Sequence, residues 1–147
     1  MKKFTFTNEK YYKIKLDEDE RLKLELKSVE KNIEAAANEI RELDIRAENE
    51  SLAYREDMRT GTTAKRLESY QWFMPYLKEL KEAAQKKLEA LQAERLRLQN
   101  LLIKTRNDIR VLEQMKKEQY EQYLKDVAAE EAKELDSHIS FNLFRGG

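Results

Sequence analysis

The chain has no cysteine, one proline, three glycines and one histidine in 147 residues. The lack of cysteine excludes a disulfide framework and a thiolate metal site. With His138 standing alone there is no imidazole pair, so no metal and no cofactor are expected. Scarce Gly and Pro leave few places where the backbone can turn. Long apolar runs are missing as well, and nothing approaches the roughly 18 residues of a membrane span. The opening Met1-Lys2-Lys3 has the charge of a signal peptide, but Asn8, Glu9 and Lys10 fall where its apolar core would be. Charge of one sign is not in surplus either, since 29 basic residues balance 29 acidic ones. That balance excludes a general nucleic-acid binder, which needs an excess of Lys and Arg. No nucleophile elbow, phosphate loop or HExxH occurs, so no enzyme is expected. Together these absences describe a soluble cytoplasmic protein.

What is abundant is Ala, Leu, Glu, Lys and Arg, which make up more than half of the chain. With heptad periodicity, that share marks a coiled coil. A first seam runs through Leu22, Leu26, Val29, Ile33, Ala36, Ile40, Leu43 and Ala47, then turns polar at Glu50, Tyr54 and Asp57. A second runs through Leu67, Tyr70, Met74, Leu77, Lys81, Ala84, Leu88, Leu91, Arg95, Leu98, Leu102, Thr105, Ile109 and Leu112. Their alternating steps of three and four keep one stripe facing a partner helix. Lys81 and Arg95 can lay their stems on the seam and carry their charge to water. Leu80, Leu96, Leu101 and Ile103 fall outside the stripe and give helix two more apolar surface than one partner requires.

The seams are separated by Arg59-Thr60-Gly61-Thr62-Thr63. Gly61 suits the positive φ of a helix C-terminal cap, and Thr62 or Thr63 can cap the next helix. The expected fold is therefore all-α: an antiparallel two-helix coiled coil, or long α-hairpin, forming a single domain. Helix one covers about residues 10–58, the turn about 59–63 and helix two about 64–138, with flexible ends. Folding at Gly61 sets residue i against about residue 122 − i. Helix one would span ~70 Å and helix two ~110 Å, so helix two overhangs beyond about Leu112. Met115, Tyr120, Tyr123, Leu124 and Val127 on that overhang call for another partner. The tail from His138 to Gly147 is expected to fray. Pro75 either kinks helix two or ends a short separate helix, and the unbroken register across it favours the kink.

Tyr70, Trp72, Phe73 and Tyr76 cluster near the turn, where Tyr70 closes the seam. Trp72 and Phe73 cannot both face helix one, because neighbouring helical residues point about 100° apart. The acidic stretches Asp17–Glu20 and Glu130-Glu131 lack the glycine turn of a calcium loop and read as solvated helix faces. Lys86-Lys87 and Lys116-Lys117 are short and interleaved with acids.

Three stretches together resemble the FliJ family of the bacterial flagellar type III export apparatus. They are Phe4-x-Phe6 with Lys15-Leu16-Asp17-Glu18-Asp19-Glu20; Tyr54-Arg55, Gly61-Thr62 and Tyr70-Gln71-x-Phe73 with Leu77 and Leu80; and Lys133-Glu134-Leu135-Asp136. Pro75 and the missing leucine-rich pattern after Phe4-x-Phe6 depart from the family. The resemblance implies a stalk-like rod in the pore of a hexameric export ATPase, itself not an ATPase. It implies that this stalk promotes ring assembly, links the ring to the export gate membrane protein and exchanges with export chaperones. The gate contact would fall on Tyr54, Phe73, Leu77, Leu80 and Ala84, with the terminal half of the rod entering the ring. The protein would be monomeric alone and associate peripherally with the inner face of the cell membrane at the flagellar base. A coiled-coil scaffold or an export chaperone without ATPase regulation is the alternative.

Overall fold

Leu, Ala, Glu, Lys and Arg favour helix because their side chains lose little rotamer freedom there. Over these stretches nothing but Pro75 opposes them. The computed structural model describes residues 2–146 and contains two α-helices, α1 (Glu9–Thr60) and α2 (Ala64–Gly146). They pair as an antiparallel two-helix coiled coil, as the two seams require.

The turn is a three-residue connection, Gly61–Thr63, shorter than the five expected. Gly61 adopts φ 99°, and its amide donates to the Asp57 carbonyl at 2.8 Å. That single bond is the left-handed glycine cap of α1. Thr63 takes the other cap: its Oγ1 accepts from the Arg66 amide at 3.3 Å, and its carbonyl accepts from Leu67. Between the two possible capping threonines, the structure selects Thr63.

The chain forms two compact units. The first, Leu22–Leu101, contains the turn. Its seam is the one the heptads predict: Leu22, Ala36, Tyr70, Leu77, Ala84 and Leu98 are buried. Lys81 leaves the seam to meet the Asp44 carboxylate at 2.6 Å, the behaviour expected of a long basic stem. Pro75 lies within continuous α2, so the separate short helix is excluded. α2 continues through it although the proline removes one backbone donor.

The second unit joins Met1–Arg21 to Leu102–Gly147. Its core contains Phe6, Leu102, Thr105, Ile109 and Leu112. Here the seam of α1 extends beyond its apolar residues, in the same steps, through Asp19, Lys15 and Tyr12. Asp19 is buried and accepts from Arg106 Nε at 3.0 Å; Lys15 bridges Glu18 and Asp108 at 3.3 Å. The reading of Asp17–Glu20 as a solvated face is thus corrected for Asp19. Its carboxylate is tolerated at a seam position because a guanidinium accompanies it.

The pairing register differs from expectation by about one turn of the partner helix. Asp44 with Lys81, Asp19 with Arg106 and Tyr12 with Glu113 each add to 125 rather than 122. The apex accordingly lies at Thr62-Thr63, past the glycine, because Gly61 ends α1 while Thr63 begins α2.

Both ends of the chain depart from expectation. α2 stays helical to Gly146, since no Pro or Gly interrupts residues 128–145; Gly147 lies outside the described residues. The α2 surface after Leu112 is also less bare than expected. Residues 2–8 run along it as a non-helical strap, with Phe6 buried and Phe4 against Tyr120 and Tyr123.

Candidate partner-binding surface

In the unit that holds the turn, the helical repeat decides which aromatic side chains are left for a partner. Tyr70 is on the seam side, only 8% exposed, and donates its hydroxyl to Asp57 Oδ2 at 2.6 Å. The same oxygen meets Arg66 Nε at 2.6 Å. Tyr70's hydroxyl first, and the charge of Asp57 second, hold the Arg66 guanidinium above its ordinary pKa. This cluster ties the start of α2 to the end of α1 and closes the seam beside the turn. Tyr54 stands edge-on to Tyr70, with ring centroids 5.5 Å apart.

Two residues beyond Tyr70 the side chains point away from the seam. Trp72 is 69% exposed and stacks on Tyr76, one turn further along, with centroids 5.5 Å apart and planes at 15°. Phe73 is half-buried, 6.2 Å from Tyr76, and the Arg46 guanidinium of α1 lies over its ring at 5.1 Å. Leu80, also half-buried, continues this flank. Trp72, Tyr76, Phe73 and Leu80 thus form one stripe, running from open solvent to the seam edge.

The five residues expected to contact a partner separate into two groups. Tyr54, 40% exposed, and half-buried Phe73 and Leu80 offer surface. Leu77 and Ala84 do not: at 2% and 4% exposure they are enclosed between α1 and α2. Both stand in the second heptad seam, and the pairing of the helices covers them. The structure brings Tyr54 to Tyr70 and Phe73 to Tyr76 but gathers no single five-residue patch.

Trp72 and Tyr76 are exposed aromatics that sequence reasoning did not assign to a partner surface. The signal was available: once Tyr70, Met74 and Leu77 define the seam, the repeat sends Trp72 outward rather than Phe73. Two shallow grooves flank this region. One of about 210 Å³ is lined by Ser51, Tyr54, Tyr70, Gln71 and Met74. The other, of about 510 Å³, opens beside Pro75 where Ala47 is too small to fill the seam.

Among the described residues there is no cluster of three or more His, Asp or Glu side chains able to hold a metal ion, and no helix is long and apolar enough to cross a membrane. Fold and surface together define a two-helix antiparallel coiled coil with exposed aromatic side chains beside its turn. The flagellar FliJ protein family matches residues 9–147, and the chain belongs to that family. It is therefore a component of the flagellar export apparatus, from a family that is non-catalytic. No curated protein and no solved structure gives a significant match.

Proposed function

We propose that this protein is the stalk-like component of the flagellar export ATPase, promoting assembly and activity of its ring and linking it to the export gate membrane protein and to export chaperones. The observation that carries the reading is the family match over residues 9–147. The mechanism is allosteric: an asymmetric helix pair within a symmetric ring makes unequal contacts with the subunits and shifts their conformational populations. The gate contact is assigned to exposed Trp72, Tyr76 and Tyr54 and to the half-buried Phe73 and Leu80. Leu77 and Ala84 support that surface from beneath. Exposed aromatics suit this task because they bring large, rigid contact area at low entropic cost.

The test is the ATP hydrolysis rate of the same organism's export ATPase, titrated with this protein. A saturable rise, with more hexamer by light scattering, is expected. An unchanged rate without co-elution would overturn the stalk reading in favour of a scaffold or export chaperone.

A further inference from the structure

The strap formed by residues 2–8 precedes the family match, which begins at Glu9. It lies on α2 without helix or sheet, and its contacts show what that surface recognises. Tyr123 donates its hydroxyl to the Lys2 carbonyl at 2.9 Å. Gln119 Oε1 accepts from the Thr7 amide and the Thr7 hydroxyl, each at 3.3 Å. Two of these three bonds use the strap's main chain, so they hold any extended peptide regardless of its side chains. Specificity comes from the alternate positions, which project to one side of an extended segment. Phe4 meets Tyr120 edge-on at 5.1 Å and Tyr123 at 5.5 Å, while Phe6 is 6% exposed and packs on Tyr12 at 6.3 Å.

The fit is incomplete around Phe4. An open groove of about 410 Å³ remains beside it, bordered by Glu113, Lys116, Lys117 and Tyr120. Tyr120 stays 46% exposed beneath the strap. The surface therefore holds main chain and the Phe6 ring closely while leaving space beside Phe4 for a larger occupant.

We infer that the surface formed by α2 at Lys116–Tyr123 together with Tyr12 of α1 is a peptide-docking site for an extended segment of a partner protein carrying aromatic residues at alternate positions, which the chain's own strap occupies in cis until displaced. Tethering sets the threshold for displacement. A short connection gives the strap an effective concentration of about millimolar. A partner segment with the same contacts must match that concentration, or gain affinity by filling the groove beside Phe4. The strap thus rejects weak aromatic peptides and yields to those that grip better. This inference is independent of the ATPase and gate contacts proposed above.

The test uses a synthetic peptide of residues 2–8, Lys-Lys-Phe-Thr-Phe-Thr-Asn, titrated by NMR chemical shift into the full chain and its Phe4→Ala variant. Half-saturation is expected at about ten-fold lower peptide concentration on the variant, because the intramolecular competitor at millimolar effective concentration is weakened. The shifts should fall on Gln119, Tyr120 and Tyr123, and a peptide with both Phe replaced by Ala should give none. Adding Gln119→Ala to the variant should weaken binding again. Equal half-saturation on both chains would overturn the proposal. The Phe4→Ala, Phe6→Ala double variant, with helicity checked by circular dichroism, releases the strap fully; no peptide binding there would overturn it as well.

Discussion

Replacing Leu77 and Trp72 by alanine, one at a time, should produce opposite phenotypes although the two residues lie five positions apart on one helix. Leu77 is 2% exposed between α1 and α2. Its truncation removes buried methyl groups and leaves a cavity that the surroundings refill only in part. For a buried leucine that costs about 2–4 kcal/mol, near the low end here because a two-helix seam has solvent close by and collapses readily. In a chain of this size such a loss lowers Tm by about 5–10 °C. Trp72 is 69% exposed, and its truncation should change stability by no more than about 0.5 kcal/mol. The assay is thermal unfolding by circular dichroism, paired with binding of the purified cytoplasmic part of the export gate protein. Leu77→Ala should melt early yet bind normally at low temperature; Trp72→Ala should melt normally and bind at least about ten-fold more weakly, as a truncated central aromatic does. An unchanged Tm for Leu77→Ala would refute the seam assignment. Normal binding by Trp72→Ala would refute the contact surface without touching the fold.

Gly61→Ala should destabilise by about 1–2 kcal/mol, read as a lower Tm, because alanine is strained at positive φ. Nothing lies within 4 Å of the added Cβ, so the whole cost is conformational, and Gly61→Asn should recover part of it. Tyr70→Phe should cost about 1 kcal/mol in urea unfolding, since Asp57 loses one donor but keeps Arg66. The Tyr12 phenol is held above its ordinary pKa by burial first and by its hydrogen bond to Glu113 next. A tyrosine raised in the folded state contributes stability that is complete below its unfolded pKa of about 10 and is lost as pH rises through the folded value. Between about pH 9 and pH 11 the Tm should therefore fall more in the parent than in Tyr12→Phe; equal slopes would remove Tyr12 as the cause.

The heptads made the seams legible because steps of three and four follow from helix geometry and leave little choice of partner face. Every position of both apolar seams, from Leu22 to Ala47 and from Leu67 to Leu112, is at least half-shielded from solvent. The same arithmetic also reached Asp19, Lys15 and Tyr12, yet hydrophobicity concealed it. A polar residue in register reads as a seam position only when its counter-charge, here Arg106 or Asp108, is known. Pairing across the turn was less legible. Gly61 identifies the cap of α1, but the apex depends on which threonine caps α2. The strap was illegible because an extended segment carries no periodicity beyond Phe4-x-Phe6. Of the residues that the family resemblance offered for a partner, Tyr54, Phe73 and Leu80 keep exposed surface in the folded chain. Leu77 and Ala84 were assigned both to the seam and to a partner, and only the pairing of the helices shows that the seam covers them.

The outward setting of Trp72 has a spectroscopic consequence. It is the only tryptophan in the chain, so all indole fluorescence comes from one side chain that is already wet in the folded state. Its emission should lie near that of hydrated indole before any denaturant is added, and should shift little when the helices melt. A colour change on mixing with another protein would then report coverage of the stripe beside the turn, with scarcely any background from folding. The chain carries a native optical probe on the surface proposed for docking, and none in its seam.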